Sequence, residues 1–95
     1  MLFVALMKAK AGSTILSRTE RRLDWAYPEG AKVIGEYWLT TDDPNVVTVV
    51  EANDVGLVFD AIRQWDDVFD IEVYPAVTAE FGIARARQQF AAALA

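Results

Sequence analysis

Three observations predict an α+β domain with a ferredoxin-like βαββαβ order. Four runs of strand length, residues 2–9, 31–40, 46–52 and 69–77, carry alternating or two-sided apolar patterns. Two segments between them place apolar residues at helical spacing. The order strand–helix–strand, strand–helix–strand is the split βαβ plan, here with an extra C-terminal helix. Right-handed crossovers put the first and third strands at the centre of a four-stranded antiparallel sheet.

The first strand, residues 2–9, sets Leu2, Val4 and Leu6 on one face and Phe3, Ala5 and Met7 on the other. Both faces are apolar, which suits a central strand covered on both sides. Gly12 ends it, and Ser13 or Thr14 caps the first helix, with Ser17-Arg18-Thr19-Glu20 as a capping-box start one turn later. The spacing of Ile15, Leu16, Thr19, Leu23 and Ala26 predicts an inward stripe. Arg18, Arg21 and Arg22 then face outward, as a solvated face or, in the alternative, as an anion or partner site. Pro28 forces Tyr27 out of helical geometry and ends the helix there.

The second strand, residues 31–40, groups Val33, Gly35, Tyr37 and Leu39 against Ile34, Glu36 and Trp38. Gly35 signals a bulge or a close backbone approach. Thr41-Asp42-Asp43-Pro44-Asn45 is a turn of type I signature. The third strand, residues 46–52, is again apolar on both faces and central. Asn53 or Asp54 caps the second helix, whose inward stripe is Val55, Val58, Phe59, Ile62 and Trp65. In the fourth strand, residues 69–77, Ile71, Val73 and Val77 oppose Glu72, Tyr74 and Ala76. Pro75 cannot donate to a ladder, so this strand lies at an edge or breaks there. Thr78 caps an Ala-rich helix with a weak stripe of Ile83, Ala86, Phe90 and Leu94. Residues 1–78 therefore read as the domain and residues 79–95 as a helical tail.

The totals narrow the chemistry. The net charge of −5 opposes sequence-independent nucleic-acid binding, which needs clustered Lys and Arg. The chain has no Cys and no His. That removes thiolate nucleophiles, Cys or His metal sites, His-ligated haem and Ser-His-Asp chemistry. Any acid–base work falls to Asp, Glu, Tyr or Lys, and no cofactor is expected. The opening run of residues 2–7 is too short, and too poor in preceding positive charge, for a signal peptide. With no run near the ~18 apolar residues of a membrane span, a cytoplasmic protein without membrane contact is expected.

Apolar residues make up 54% of the chain, more than a domain of 95 residues can hide in one core. Two helices cover only one face of a four-stranded sheet. Leaving six or seven large apolar side chains wet on the other would forfeit on the order of 10 kcal/mol. A second sheet is expected to cover it, so the chain is predicted to form a homodimer, or a higher oligomer, built sheet on sheet.

The segments Pro28-Glu29-Gly30, Ile34-Gly35-Glu36-Tyr37-Trp38, Glu51 and Asn53-Asp54, together with the stretch from Trp65 to Val77 (WDDVFDIEVYPAV), resemble domain-of-unknown-function family 3303. The resemblance covers roughly residues 1 to 80. It implies the dimeric α+β barrel group, which includes cofactor-free monooxygenases, isomerases, haem-degrading enzymes and small-molecule binders.

The candidate chemical constellation is Glu36, Glu72 and Tyr74, with Trp38, Thr48, Asn53 and Trp65 as ligand-binding residues and no metal ligands. A carboxylate in an apolar pocket is pushed up in pKa and becomes a proton carrier near neutrality. Tyr74 would hold a substrate oxygen. Three functions follow: a small-molecule binder with its cavity between sheet and helices or between two sheets, a cofactor-independent isomerase or monooxygenase using a buried Glu, or a structural or regulatory assembly module. The carboxylate reading expects Glu→Gln at either position to spare the fold.

Overall fold

The computed structural model describes residues 1–94. The chain runs β1 (Leu2–Ala9), α1 (Ile15–Leu23), β2 (Lys32–Trp38), β3 (Val46–Glu51), α2 (Val55–Arg63), β4 (Phe69–Ala76) and α3 (Ala79–Leu94). The four strands form one antiparallel sheet in the order β2-β3-β1-β4. The two-sided apolar strands β1 and β3 are central, and Pro75 lies on edge strand β4, as their compositions predict. This is the ferredoxin-like arrangement, with α3 added.

Strand pairing fixes which side chains share a face. Phe3 lies opposite Val50, Ala5 opposite Thr48 and Met7 opposite Val46. On the other side of β1, Ala5 meets Val73 and Met7 meets Ile71. These residues face the helices. Phe3, Val50, Ala52 and Val58 of α2 form the buried core, flanked by Tyr27, Val33, Leu57, Ile62 and Val73. Leu2, Val4, Leu6, Val47 and Val49 alternate onto the opposite face, where each stays partly exposed.

β2 departs from simple alternation. A register shift between Val33 and Gly35 inserts one residue, so Val33 pairs with Val50 while Gly35 pairs with Val49. Val33 therefore joins the helix-facing core and Gly35 and Tyr37 the open face, rather than all three sharing one side. The missing side chain at Gly35 makes room for Tyr37: a Cβ there would stand 2.7 Å from the Tyr37 hydroxyl. After β2 comes the expected turn, in which the Asp43–Pro44 peptide is cis.

Helix α1 overturns the expected orientation. Thr14 caps it, accepting from Ser17 N at 3.1 Å in a reciprocal capping box. It ends at Leu23, four residues before Tyr27, with Asp24 as its C-cap. Its inward residues are arginines: Arg18 is 8% exposed, whereas Ile15, Leu16 and Leu23 lie exposed. The cause is what α1 packs against. Glu36 on the helix-facing side of β2 needs a cation, and aromatic rings accept the rest. The guanidinium carbons of Arg18, Arg21 and Arg22 lie 5.6, 4.6 and 5.5 Å from the ring centres of Phe69, Trp65 and Trp25.

Helix α2 follows its stripe in part. Asp54 caps it, accepting from Leu57 N at 3.3 Å. Val58 and, just beyond the helix, Trp65 are buried, but Val55 and Phe59 are exposed. Helix α3 is capped by Thr78, whose hydroxyl accepts from Phe81 N at 3.1 Å. It buries none of its residues, and Ile83, Phe90 and Leu94 of the expected stripe are all exposed. The Cα radius of gyration is 16.6 Å, against about 12 Å for a compact chain of this length, because α3 projects as an arm.

Candidate functional site

Between the sheet and the two helices lies a cavity of about 160 Å³. Its floor is the helix-facing side of β1, β2 and β3. The small side chains of Ala5 and Thr48 sit opposite each other there, at the centre of the sheet, and leave the space. Thr48 is 3% exposed. Ala61 and Ile62 of α2 form one wall and Arg18, Thr19 and Arg22 of α1 another. All three tryptophans of the chain, Trp25, Trp38 and Trp65, line it. Trp25 stands edge-on to Tyr27 and Trp65, at centroid distances of 4.6 and 5.7 Å. Its indole N–H donates to Gln64 Oε1 at 2.6 Å, fixing the ring.

Glu36 is the polar hub of this wall. Arg22 donates to it from Nε (3.0 Å to Oε2) and Nη2 (3.1 Å to Oε1). Trp38 Nε1 donates to Oε2 at 2.8 Å, and the Tyr27 hydroxyl donates to Oε1. Burial pushes the Glu36 carboxyl up in pKa, but the hydrogen bonds from Arg22, Tyr27 and Trp38 outweigh it and hold the group below its ordinary range. The sequence expectation of a carboxylate raised toward neutrality is therefore corrected at Glu36. The pocket is apolar, yet it contains an arginine that sequence spacing had placed in solvent. Tyr27 is pushed up, first by burial and then by donating to Glu36, so its phenol stays protonated. Arg22 is held in its charged form by the same carboxylate.

The predicted site residues divide between two faces. Glu36, Trp38, Thr48 and Trp65 converge on the cavity. Glu72 and Tyr74 pair with Leu6 and Val4 and so lie on the open face, away from it. Tyr74 is 50% exposed and donates to Glu72, a contact that raises the phenol's pKa. Asn53 is exposed and outside the cavity; the capping role belongs to its neighbour Asp54. Among the described residues no group of three or more acidic side chains is placed to hold a metal ion.

Sequence spacing missed Trp25 and Tyr27, and it offered Arg18 and Arg22 only as the alternative to a solvated face. A signal was available in α1: its three apolar residues, Ile15, Leu16 and Leu23, leave the intervening turn without one, while Arg18 and Arg22 stand at the i, i+4 spacing that shares a face.

Residues 1–90 match the family model described as Domain of unknown function (DUF3303). The chain belongs to the DUF3303 family. The match bears out the resemblance carried by the Pro28–Trp38 and Trp65–Val77 segments, and it extends into α3. No curated protein matches this DUF3303 chain, and no solved structure does. Among the described residues no helix is long and apolar enough to cross a membrane.

Proposed function

We propose that this DUF3303 protein binds a small molecule in the cavity between its sheet and helices, and that two copies pair through their open sheet faces as a dimeric α+β barrel. The cavity itself carries the first part. Its volume is comparable to the ~150 Å³ space that holds one benzene-sized guest. Aromatic walls with a few fixed polar groups are the usual lining of a ligand site. Glu36, fully engaged by four donor groups, acts as a fixed charge that positions Trp38 and Tyr27. That weighs against a proton-carrying role for it.

The three cavity tryptophans supply the test. Single-ring compounds, neutral, anionic and cationic, should include some that change tryptophan emission saturably and raise the melting temperature. A complete lack of response across all three classes would refute the reading. The Glu72–Tyr74 hydrogen bond supports a second reading, in which this pair lines the space between two sheets and acts on a ligand there. Glu72→Gln then reduces binding or turnover, and unchanged behaviour removes that reading.

A further inference from the structure

The charge of the cavity is opposite to that of the protein. The chain carries −5 overall, yet the cavity is lined by two guanidinium groups, Arg18 and Arg22, and one carboxylate, Glu36. Glu36 is consumed by Arg22, its ion-pair partner at 3.0 Å. Arg18 is left over. It makes none of the salt bridges among the described residues. Its side chain has one hydrogen-bond partner there, the Ser13 hydroxyl at 2.7 Å. That hydroxyl already donates to Lys10 O at 3.3 Å, so it is a neutral acceptor and not a counter-ion.

A guanidinium offers five N–H donors and cannot shed its proton. Holding it 92% out of solvent with no opposite charge is costly, because burial removes its hydration without Coulombic return. The Phe69 ring 5.6 Å away offsets this only in part. Among the described residues no buried side-chain nitrogen or oxygen is sealed off without a partner. The N–H groups of Arg18 that the protein leaves unpaired are therefore not sealed off, and Arg18 is one of the residues that line the cavity.

We infer that the ligand of this cavity is a small monoanion, an aromatic or short-chain carboxylate, whose carboxylate is taken by the free fork of Arg18 and whose apolar body lies over Ala5 and Thr48 among the tryptophans. A planar guanidinium matches a carboxylate with two parallel hydrogen bonds. One negative charge balances the one positive charge the cavity carries in excess. The volume admits one ring or its equivalent. This inference rests on the cavity being a binding site, and the experiment separates the two.

Benzoate, phenylacetate, benzyl alcohol and benzylamine are titrated at pH 7 against the full chain, with tryptophan emission and calorimetry as readouts. The carboxylates should bind at least about tenfold more tightly than the alcohol, and benzylamine most weakly. Arg18→Gln should weaken benzoate about ten- to a hundredfold and benzyl alcohol by much less. Arg18→Lys, which keeps the charge but loses the fork, should fall between. If the alcohol binds as well as benzoate, or if a folded Arg18→Gln protein binds benzoate like wild type, the anion assignment is overturned while the cavity stands as a binding site. If none of the four binds, both fall. The wild-type ranking of the four probes decides the matter even where a variant fails to fold.

Discussion

Glu36 shows how a single residue's surroundings decide its chemistry. A carboxylate on an apolar strand is a proton carrier when desolvation dominates, and a fixed anion when donors dominate. Here the donors win, because α1 turns Arg22 inward and the chain after it delivers Tyr27. The lowered pKa has a consequence for stability. A group whose folded pKa lies below its unfolded value of 4.5 stabilises the protein above that value, and the contribution is lost as pH falls through the folded pKa. Urea denaturation of wild type should thus show stability falling below about pH 4.5, and Glu36→Gln should show a flatter acid limb. At pH 7 the variant should be less stable by about 1–3 kcal/mol, because Arg22 is left unpaired in a half-buried site. Equal pH profiles for the two proteins would remove the ion pair from the account. Tyr27→Phe deletes one hydrogen bond to the charged group and should cost about 1–2 kcal/mol at pH 7, measured the same way.

At the scale of elements, period-two patterns carried most of the fold. Strands β1 and β3 announce themselves as central because both of their faces are apolar, and Pro75 marks an edge because proline cannot donate to a ladder. The existence of helix α1 was legible, but its orientation was signalled only by the i, i+4 spacing of Arg18 and Arg22. Its nine residues hold too few apolar side chains to define a stripe, and the partner that turns its arginines inward, Glu36, lies outside it in sequence. The bulge was signalled by Gly35, but its effect on alternation was not, since one inserted residue moves Val33 to the other face. Half of the candidate site followed from spacing alone: Glu36 and Trp38 do share a face. That Glu72 and Tyr74 point the opposite way depends on strand register, which hydrophobic alternation leaves ambiguous when both faces are apolar. The cavity depends on side-chain size at two register-paired positions, Ala5 and Thr48. Ala5→Leu fills it from the floor. The variant should keep its fold, with a stability change within about 1.5 kcal/mol, and lose binding of single-ring ligands. Unimpaired binding by a folded Ala5→Leu protein would place the ligand elsewhere.

The whole molecule exposes more surface than its mass requires. A compact monomer of 10.6 kDa presents about 5,500 Å²; this chain presents 6752 Å². The excess, roughly 1,250 Å², exceeds the ~800 Å² that each partner contributes to an interface of standard size. Part of it is the arm α3, whose Phe81, Ile83 and Phe90 all lie exposed. Part is the open sheet face, where Leu2, Val4, Leu6, Val47 and Val49 form a band that Tyr37 and Tyr74 flank from the two edge strands. A second copy laid on this band is the occupant we propose, and the expected mass by light scattering at micromolar concentration is twice 10.6 kDa. Val49 is the residue to change. It is paired with Val4 on one side and Gly35 on the other, so a charge there sits in the middle of the band. Val49→Glu would bury an unpaired carboxylate in any sheet-on-sheet contact, and it should convert the protein to monomer. The helix-facing cavity lies on the other side of the sheet. The monomeric variant should therefore still bind whatever single-ring ligand the wild type binds. A wild type that runs as a well-folded monomer refutes the pairing outright. A Val49→Glu protein that remains a dimer moves the interface to one of the helices, each of which leaves large apolar side chains exposed.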